Sequence, residues 1–210
     1  MESEGHWSTS RVEAFSDGVF AIAITLLVLE IGIDPDQFDD LWGAILREWP
    51  AYLAYVTSFL TVGGVWLAHH RLFMRLRFVD PALMRLNILL LMTASFLPFP
   101  TALLAEAFHA SRDAERAAVI FYGATAIAIE ALIGASRRYA EAHPELLHGE
   151  APPAIEVLRR HGLPVAVYGA AMVAGLLLFP RLAAVAYLVV AARAVLLPGD
   201  EGRLTLRGPG

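Results

Sequence analysis

The fold of this chain is decided by its first apolar stretch, which reads RVEAFSDGVFAIAITLLVLEI over residues 11–31. From Val19 to Leu29 it is apolar apart from Thr25, whereas Arg11, Ser16 and Asp17 precede that run. A guanidinium or carboxylate at the edge of hydrocarbon is costly unless it is paired, so Arg11 and Asp17 are candidate functional groups. The alternative interpretation is that Ser16 and Asp17 are ordinary helix caps, which satisfy free amides at a helix start.

The composition is that of a membrane protein. Of the 210 residues, 57% are hydrophobic, which is too many for an ordinary soluble domain. The absence of cysteine excludes disulfides, thiol catalysis and Cys-ligated metal sites, and the net charge of -5 argues against a nucleic-acid surface. The first ten residues carry Glu2 and Glu4 but no arginine, and no small-residue cleavage site follows the apolar run. We therefore expect the first segment to be retained, not removed as a signal peptide.

Six stretches approach the length of a membrane-spanning helix, which is about 20 mostly apolar residues. They cover about 12–33, 50–68, 86–104, 117–136, 163–179 and 182–197. The sequence thus predicts an all-α integral membrane protein with six transmembrane helices in one domain, residues 1–197. The tail, residues 198–210, is predicted to be disordered.

Two of these stretches contain residues with local structural meaning. The sequence Thr-Val-Gly-Gly at residues 61–64 superficially resembles a carbonyl filter, but it lies inside a continuous apolar span. Its two glycines instead predict a point where helices pack closely. Pro98 and Pro100 near the end of the third stretch predict a kink.

Arginine counts predict the orientation. If both termini are cytoplasmic, the inside segments hold eleven arginines and the outside loops hold four, with one more inside the sixth span. The positive-inside rule therefore predicts cytoplasmic termini.

Polar side chains gather at the cytoplasmic ends of the first three helices. They are Arg11, Ser16, Asp17, Trp66, His69, His70 and Asn87. The apolar Phe15 lies beside them and is counted with the same group. Because successive helices alternate in direction, these groups share one depth, and buried polar groups at one depth satisfy one another. We expect a network that ties the three helices together, in which Asp17 accepts from a histidine or from Arg11. A contact between His70 and Asp17 would favour protonated His70.

Two motifs carry a resemblance to a known family. The first is Arg11-x-x-x-Phe15-Ser16-Asp17-Gly18 with the apolar run behind it, and the second is Trp66-x-x-His69-His70. Both resemble the markers of the bacterial relatives of the lysosomal potassium channel called transmembrane protein 175. The six-helix length and the hydropathy are similar along most of the chain.

The resemblance implies a potassium-permeable cation channel of the bacterial cytoplasmic membrane, without a carbonyl filter loop. It implies a homotetramer in membrane lipid, with the first helices lining a central pore that side-chain rings constrict. On this chain the implied rings are Ile22, Thr25, Leu26 and Leu29, and the polar network becomes a structural support. No enzymatic activity and no cofactor are implied, and potassium is the permeant ion.

Two other classes of protein compete with this interpretation. A proton-coupled or sodium-coupled transporter would use Asp17, His70 and Glu130, but it usually shows internal repeats and helices interrupted at mid-membrane. No clear repeat is visible, and Glu130 is predicted to pair with Arg137 or Arg138. A membrane-embedded metalloenzyme would need several histidines at one depth, whereas the histidines outside the His-His pair are scattered.

Overall fold

The computed structural model describes residues 7–33, 35–148, 169–170, 173 and 180–196. Regular structure within these residues is helical. The helices are α1 (Thr9–Leu26), α2 (Leu41–Arg47), α3 (Trp49–Phe73), α4 (Pro81–Phe96), α5 (Pro98–Ala107), α6 (Arg112–Ala142) and α7 (Pro180–Leu196). Short 3₁₀ turns cover Leu27–Glu30, Pro35–Asp40 and Pro144–Leu146.

Four helical segments in the described part of the chain are long and apolar enough to cross a membrane. They are Thr9–Glu30, Trp49–Phe73, Pro81–Ala107 and Arg112–Ala142. These segments coincide with the first four predicted spans, and α7 coincides with the sixth. Nearly all of the predicted fifth span, 163–179, and the whole of the predicted tail, 198–210, lie outside the described residues.

Helix starts are set by caps that the sequence supplies. Asp80 Oδ1 accepts from the Leu83 amide at 2.8 Å where α4 begins, and Pro81 follows as the first helical residue. At α2, Asp40 accepts from the Gly43 amide at 3.1 Å and from Arg47 at 3.1 Å. The Arg47 hydrogen bond and, after it, the amide bond lower the pKa of the Asp40 carboxyl.

The helix is interrupted near the prolines, as predicted, at the junction of α4 and α5. Helix α4 ends at Phe96 and α5 begins at Pro98, with Leu97 between them. The Leu97 amide bonds to the Ala94 carbonyl at 3.2 Å, a 3₁₀-type contact. Proline removes a backbone donor and clashes with the preceding turn, which accounts for the interruption.

The predicted glycine packing point is confirmed for one of the two glycines. A Cβ at Gly64 would lie 3.0 Å from the Cβ of Ala194 on α7, whereas a Cβ at Gly63 would meet nothing within 4 Å. Helices α3 and α7 therefore approach closely at Gly64, as small residues allow in membrane proteins.

Two isolated antiparallel β-bridges join segments of the chain that lie outside the α-helices. Trp7, just before α1, exchanges both backbone hydrogen bonds with Val79, at 2.9 and 3.1 Å. The second bridge links Leu76 to Leu147. The start of α1 is therefore attached to the connection between α3 and α4, which is in turn attached to the segment after α6.

Candidate functional site

Helix α1 packs on its neighbours with one face only. Its buried residues include Val12, Ser16, Phe20 and Ala23, and Leu27 in the following turn is fully buried. This spacing follows one side of a helix. The opposite side is exposed along its whole length, so α1 lies at the edge of the subunit.

A chain of hydrogen bonds joins α1, α4 and α3 through Asn87. The Asn87 Nδ2 donates to Ser16 Oγ at 3.1 Å, and its Oδ1 lies 2.9 Å from His69 Nε2. Ser16 Oγ donates in turn to the Val12 carbonyl at 2.8 Å. Because an amide oxygen only accepts, His69 donates from Nε2. Both ends of the Asn87 amide are thus used, which fixes the orientation of the side chain.

The ring of His69 is enclosed by aromatic side chains and is only 1% exposed. It stacks on Phe73 with centroids 4.1 Å apart, and Phe20 of α1 meets it edge-on at 5.4 Å. Its Nδ1 atom is buried without a hydrogen-bond partner among the described residues. Sequence reasoning did not assign these aromatic contacts, although Phe20 lies one helical turn after Ser16 on the same face.

A second pair of contacts connects α1 directly to α3. Trp66 Nε1 donates to Asp17 Oδ1 at 2.8 Å, and His70 Nδ1 lies 2.7 Å from Glu13 Oε1. Trp66 and His70 also stack, with an interplanar angle of 18°. Since α1 and α3 run in opposite directions, residues four apart on one helix face residues four apart on the other.

This geometry corrects the expected partner of Asp17. The expectation that Asp17 accepts from a histidine or from Arg11 was wrong, because the antiparallel register places Trp66 opposite Asp17 and Glu13 opposite His70. Glu13 was missed by sequence reasoning. The available signal was its position one turn before Asp17, which matches the spacing of Trp66 and His70 on α3.

Two of the network residues stand apart from these bonds. Phe15 is 64% exposed, and Arg11 is exposed as well. Neither makes a hydrogen bond or ring contact within the described residues. The bonded set therefore consists of Ser16, Asp17, Trp66, His69, His70 and Asn87, together with Glu13.

The residues assigned to the pore lie on the exposed side of α1 and its 3₁₀ extension. Ile22 is 61% exposed, Leu26 40% and Leu29 73%, and Thr25 is exposed between them. The Thr25 hydroxyl donates to the Ile22 carbonyl at 2.9 Å, so its oxygen lone pairs face away from the backbone. No described part of the chain covers these four side chains, so another molecule can contact them.

Charged groups elsewhere are held by specific partners. Arg137 is the cation whose charge acts on Glu130, and it also donates to the Ala68 carbonyl of α3 at 2.8 Å. On the opposite side of the membrane, Arg181 of α7 donates twice to the buried Glu115 of α6, at 2.8 and 3.2 Å. Both arginines thus link helices within the subunit.

A group of buried hydroxyls, missed by sequence reasoning, joins α3, α5 and α6. Ser58 Oγ lies 2.7 Å from Thr101 Oγ1 and donates to Tyr122 Oη at 3.1 Å. Each hydroxyl comes from a different helix, and all three residues are almost completely buried. Such bonds fasten helices in an apolar medium, where an unpaired hydroxyl is costly.

Comparisons with known proteins agree with this arrangement. A family model described as endosomal/lysosomal potassium channel TMEM175 matches residues 11–98, the part that contains most of α1, the network and all of α4. A potassium channel of Streptomyces collinus is 48% identical over an alignment of 128 residues, which covers 59% of this chain and 62% of that protein. The human endosomal/lysosomal proton channel TMEM175 is 46% identical over an alignment of 100 residues, which covers 43% of this chain and 20% of that protein. The chain thus matches less than two thirds of either curated relative.

The fold is also similar to a solved structure over nearly its full length. The crystal structure of a lysosomal potassium-selective channel TMEM175 homologue from Chamaesiphon minutus superposes with a TM-score of 0.78 and 35% identity. The superposition covers 90% of this chain and 96% of that one. The similarity therefore extends well beyond the region that the family model matches.

Proposed function

Because the chain belongs to the TMEM175 family of endosomal/lysosomal potassium channels, we propose that it forms a potassium-permeable cation channel in the bacterial cytoplasmic membrane. Four subunits surround a central pore, and α1 of each subunit lines it. The observation that carries this proposal is the exposed stripe of Ile22, Thr25, Leu26 and Leu29 on the side of α1 that faces away from its own subunit.

The polar network supports this assignment because it fixes the rotation of α1. Ser16, Asp17 and Glu13 bond to α3 and α4 from the buried side of the helix. A helix held at these three points cannot turn its apolar stripe inward without breaking hydrogen bonds in a low-dielectric region. The network is therefore proposed to act as the support of the pore helix and not as part of the ion path.

Fourfold rotational symmetry repeats the exposed stripe of α1 around the central axis, so that its side chains form rings. A symmetric oligomer repeats one surface at the axis, so each exposed side chain of α1 contributes one member to a ring of four. Narrow rings of leucine and isoleucine lose their water and oppose ions until they widen. Ile22, Leu26 and Leu29 are proposed to form this hydrophobic constriction.

Thr25 is proposed to supply the polar ring. Its hydroxyl hydrogen is used by the Ile22 carbonyl, which leaves oxygen lone pairs to face the axis. Four such oxygens are suited to a partly dehydrated monovalent cation, since selectivity without a carbonyl loop must come from side-chain ligands and pore width. Carboxylates in the outer connection, among them Asp36, Asp39 and Asp40, raise the local concentration of cations.

The coupled-transporter alternative is less well supported by the contacts. Two of its three candidate coupling groups are engaged in bonds between helices: Asp17 accepts from Trp66, and His70 meets Glu13. Glu130 is close enough to Arg137 for the arginine charge to act on it. A coupling residue must bind and release its ion during every cycle. Groups that hold the scaffold together are poorly placed for that role.

Reversal potentials of the purified protein in planar bilayers test the proposal. With potassium on one side and sodium on the other, we expect a current that reverses near the potassium potential, and no current in protein-free bilayers. A protein that passes no current, but takes up labelled cations only when a proton gradient is imposed, is a transporter, and the pore assignment then fails.

A further inference from the structure

The outward face of α4 combines one charged end with a long apolar surface. Arg85 is exposed near the start of the helix, and the exposed Leu89, Met92 and Phe96 follow it at helical spacing on the same face. The nearby hydroxyl of Thr93 bonds to the carbonyl of its own turn at 2.8 Å. No polar group of this surface therefore requires water between Arg85 and Phe96.

The dimensions of this face match one leaflet of a bilayer. Eleven residues separate Arg85 from Phe96, which corresponds to about 16 Å of helix. Half of the hydrocarbon core is about 15 Å. With the proposed orientation, Arg85 lies at the inner headgroup boundary and Phe96 near the middle of the membrane.

Helix α6 provides a second arginine near the same end of the helix pair. Tyr139 of α6 donates to Asp80 Oδ2 at 2.6 Å, so the end of α6 lies beside the start of α4. Arg85 is close enough for its charge to act on the Tyr139 hydroxyl. Arg138 precedes Tyr139 and is exposed. Two exposed arginines, Arg85 of α4 and Arg138 of α6, thus lie near the inner end of the α4–α6 pair.

Most of the outer arginines have carboxylate partners, with Arg112 as the exception among the described residues. Three arginines on the outer side bind carboxylates: Arg47 with Asp40, Arg116 with Asp113, and Arg181 with Glu115. Within the described part of the chain, Arg85 and Arg138 make no hydrogen bond or ion pair.

Two nearby carboxylates, Asp80 and Glu145, form no ion pair with the two inner arginines. Asp80 already accepts from Tyr139 and from the Leu83 amide. Glu145, whose charge also reaches Tyr139, is exposed to water and therefore screened.

We propose that the α4–α6 face binds an anionic phospholipid of the inner leaflet. Its phosphate pairs with Arg85 and Arg138, and an acyl chain lies along Leu89, Met92 and Phe96. Guanidinium groups bind phosphate oxygens with strong, charge-assisted hydrogen bonds, and juxtamembrane arginines attract anionic lipids. The inference rests on the membrane orientation given under the proposed function.

Lipid retention measured by native mass spectrometry tests the charged end of the site. We expect the purified protein to retain phosphatidylglycerol in preference to phosphatidylcholine, and Arg85→Gln to weaken that preference about fivefold, the value of one arginine near an anionic surface. The matched control is Arg112→Gln, because Arg112 is exposed on the outer side and has no partner among the described residues. An unchanged preference in Arg85→Gln overturns the proposal.

A single thiol tests the apolar part of the same site. The chain contains no cysteine, so Met92→Cys introduces a unique attachment point. A nitroxide there is expected to collide freely with lipid-soluble oxygen and not with a water-soluble relaxation agent. Disulfide cross-linking between subunits through the introduced thiol would show that a second copy covers the face, which contradicts lipid binding. Neither experiment measures ionic current. A result that rejects the lipid site can therefore be distinguished from one that rejects the proposed channel function.

Discussion

Trp66 of α3 and Asp17 of α1 are joined by one hydrogen bond of 2.8 Å, from the indole Nε1 to the carboxylate Oδ1. The bond lies one helical turn from the 2.7 Å contact between His70 and Glu13. These two contacts connect the antiparallel helices α1 and α3 at positions one helical turn apart. Their loss is expected to loosen the support of α1 before it affects the rest of the subunit.

Replacing Trp66 with Phe should lower the free energy of unfolding by about 1–2 kcal/mol, because a half-buried carboxylate loses its charge-assisted donor. Denaturant unfolding in detergent measures the change. Trp49→Phe is the control, since no hydrogen bond from its indole is described and it lies against Phe108 by ring contact. Equal losses in the two variants would show that ring volume, and not the bond to Asp17, determines the effect.

Asn87→Leu should be more costly, about 2–3 kcal/mol, because it leaves the His69 donor without its acceptor in a buried position. The same unfolding measurement applies. Thr93→Val serves as a control on the same helix, since the Thr93 hydroxyl bonds only to the carbonyl of its own turn. A neutral Asn87→Leu variant would mean that the three-helix connection contributes little to stability.

Changing a side chain of the proposed pore stripe should increase single-channel conductance. Leu29→Ala and Ile22→Asn both reduce the hydrophobic barrier, the first by widening a ring and the second by wetting it. Leu196→Ala is a closely matched control, because Leu196 of α7 is 72% exposed and Leu29 is 73% exposed. If Leu196→Ala raises the conductance as much as Leu29→Ala, the pore does not lie on α1.

Thr25→Val should lower the ratio of potassium to sodium permeability, because it removes the hydroxyl oxygens while keeping the side-chain volume. Thr25→Ser should retain most of the ratio, since the hydroxyl remains. Bi-ionic reversal potentials report both values. A ratio that is unchanged in Thr25→Val would remove Thr25 from the selectivity role.

The ion pair between α6 and α7 should respond asymmetrically to mutation. The Glu115 side chain is 8% exposed, whereas that of Arg181 is 61% exposed. Arg181→Ala leaves a buried carboxylate unpaired and should cost about 2–3 kcal/mol, while Glu115→Ala leaves a cation that reaches water and should cost about 1 kcal/mol. Thermal unfolding of the two variants shows which one loses more stability. A larger loss in Glu115→Ala than in Arg181→Ala would contradict the burial argument.

Hydropathy was sufficient to locate the four long apolar segments of the described chain, although not the short helix α2, because lipid requires every backbone polar group to be satisfied within a helix. The start of α4 at Pro81 and its end before Pro98 follow from local chemistry that the sequence displays. The sequence also identified Ser16, His69 and Asn87, since polar residues in apolar spans are few.

The pairing within the network was beyond sequence reasoning. Which donor faces Asp17 depends on the axial register of α1 against α3, and a shift of one turn exchanges Trp66 for His70. Glu13 was overlooked for a related reason: near the helix start it is indistinguishable from an ordinary solvated glutamate. The sequence also could not predict which face of α1 is exposed. The second half of that helix is apolar on nearly all sides, so the exposed face is known only from the packing of the helix against its neighbours.

The bond between Asn87 and Ser16 spans 71 positions of the chain, and this separation has a consequence for biosynthesis. At 5–20 residues per second, a ribosome needs about 4–14 s to make Asn87 after Ser16. Asp17 receives its partner Trp66 earlier, after 49 residues, whereas Ser16 has only the Val12 carbonyl of its own helix until Asn87 is made. The polar end of the nascent first helix is therefore expected to stay near the aqueous interface or the insertion machinery until α3 and then α4 are delivered.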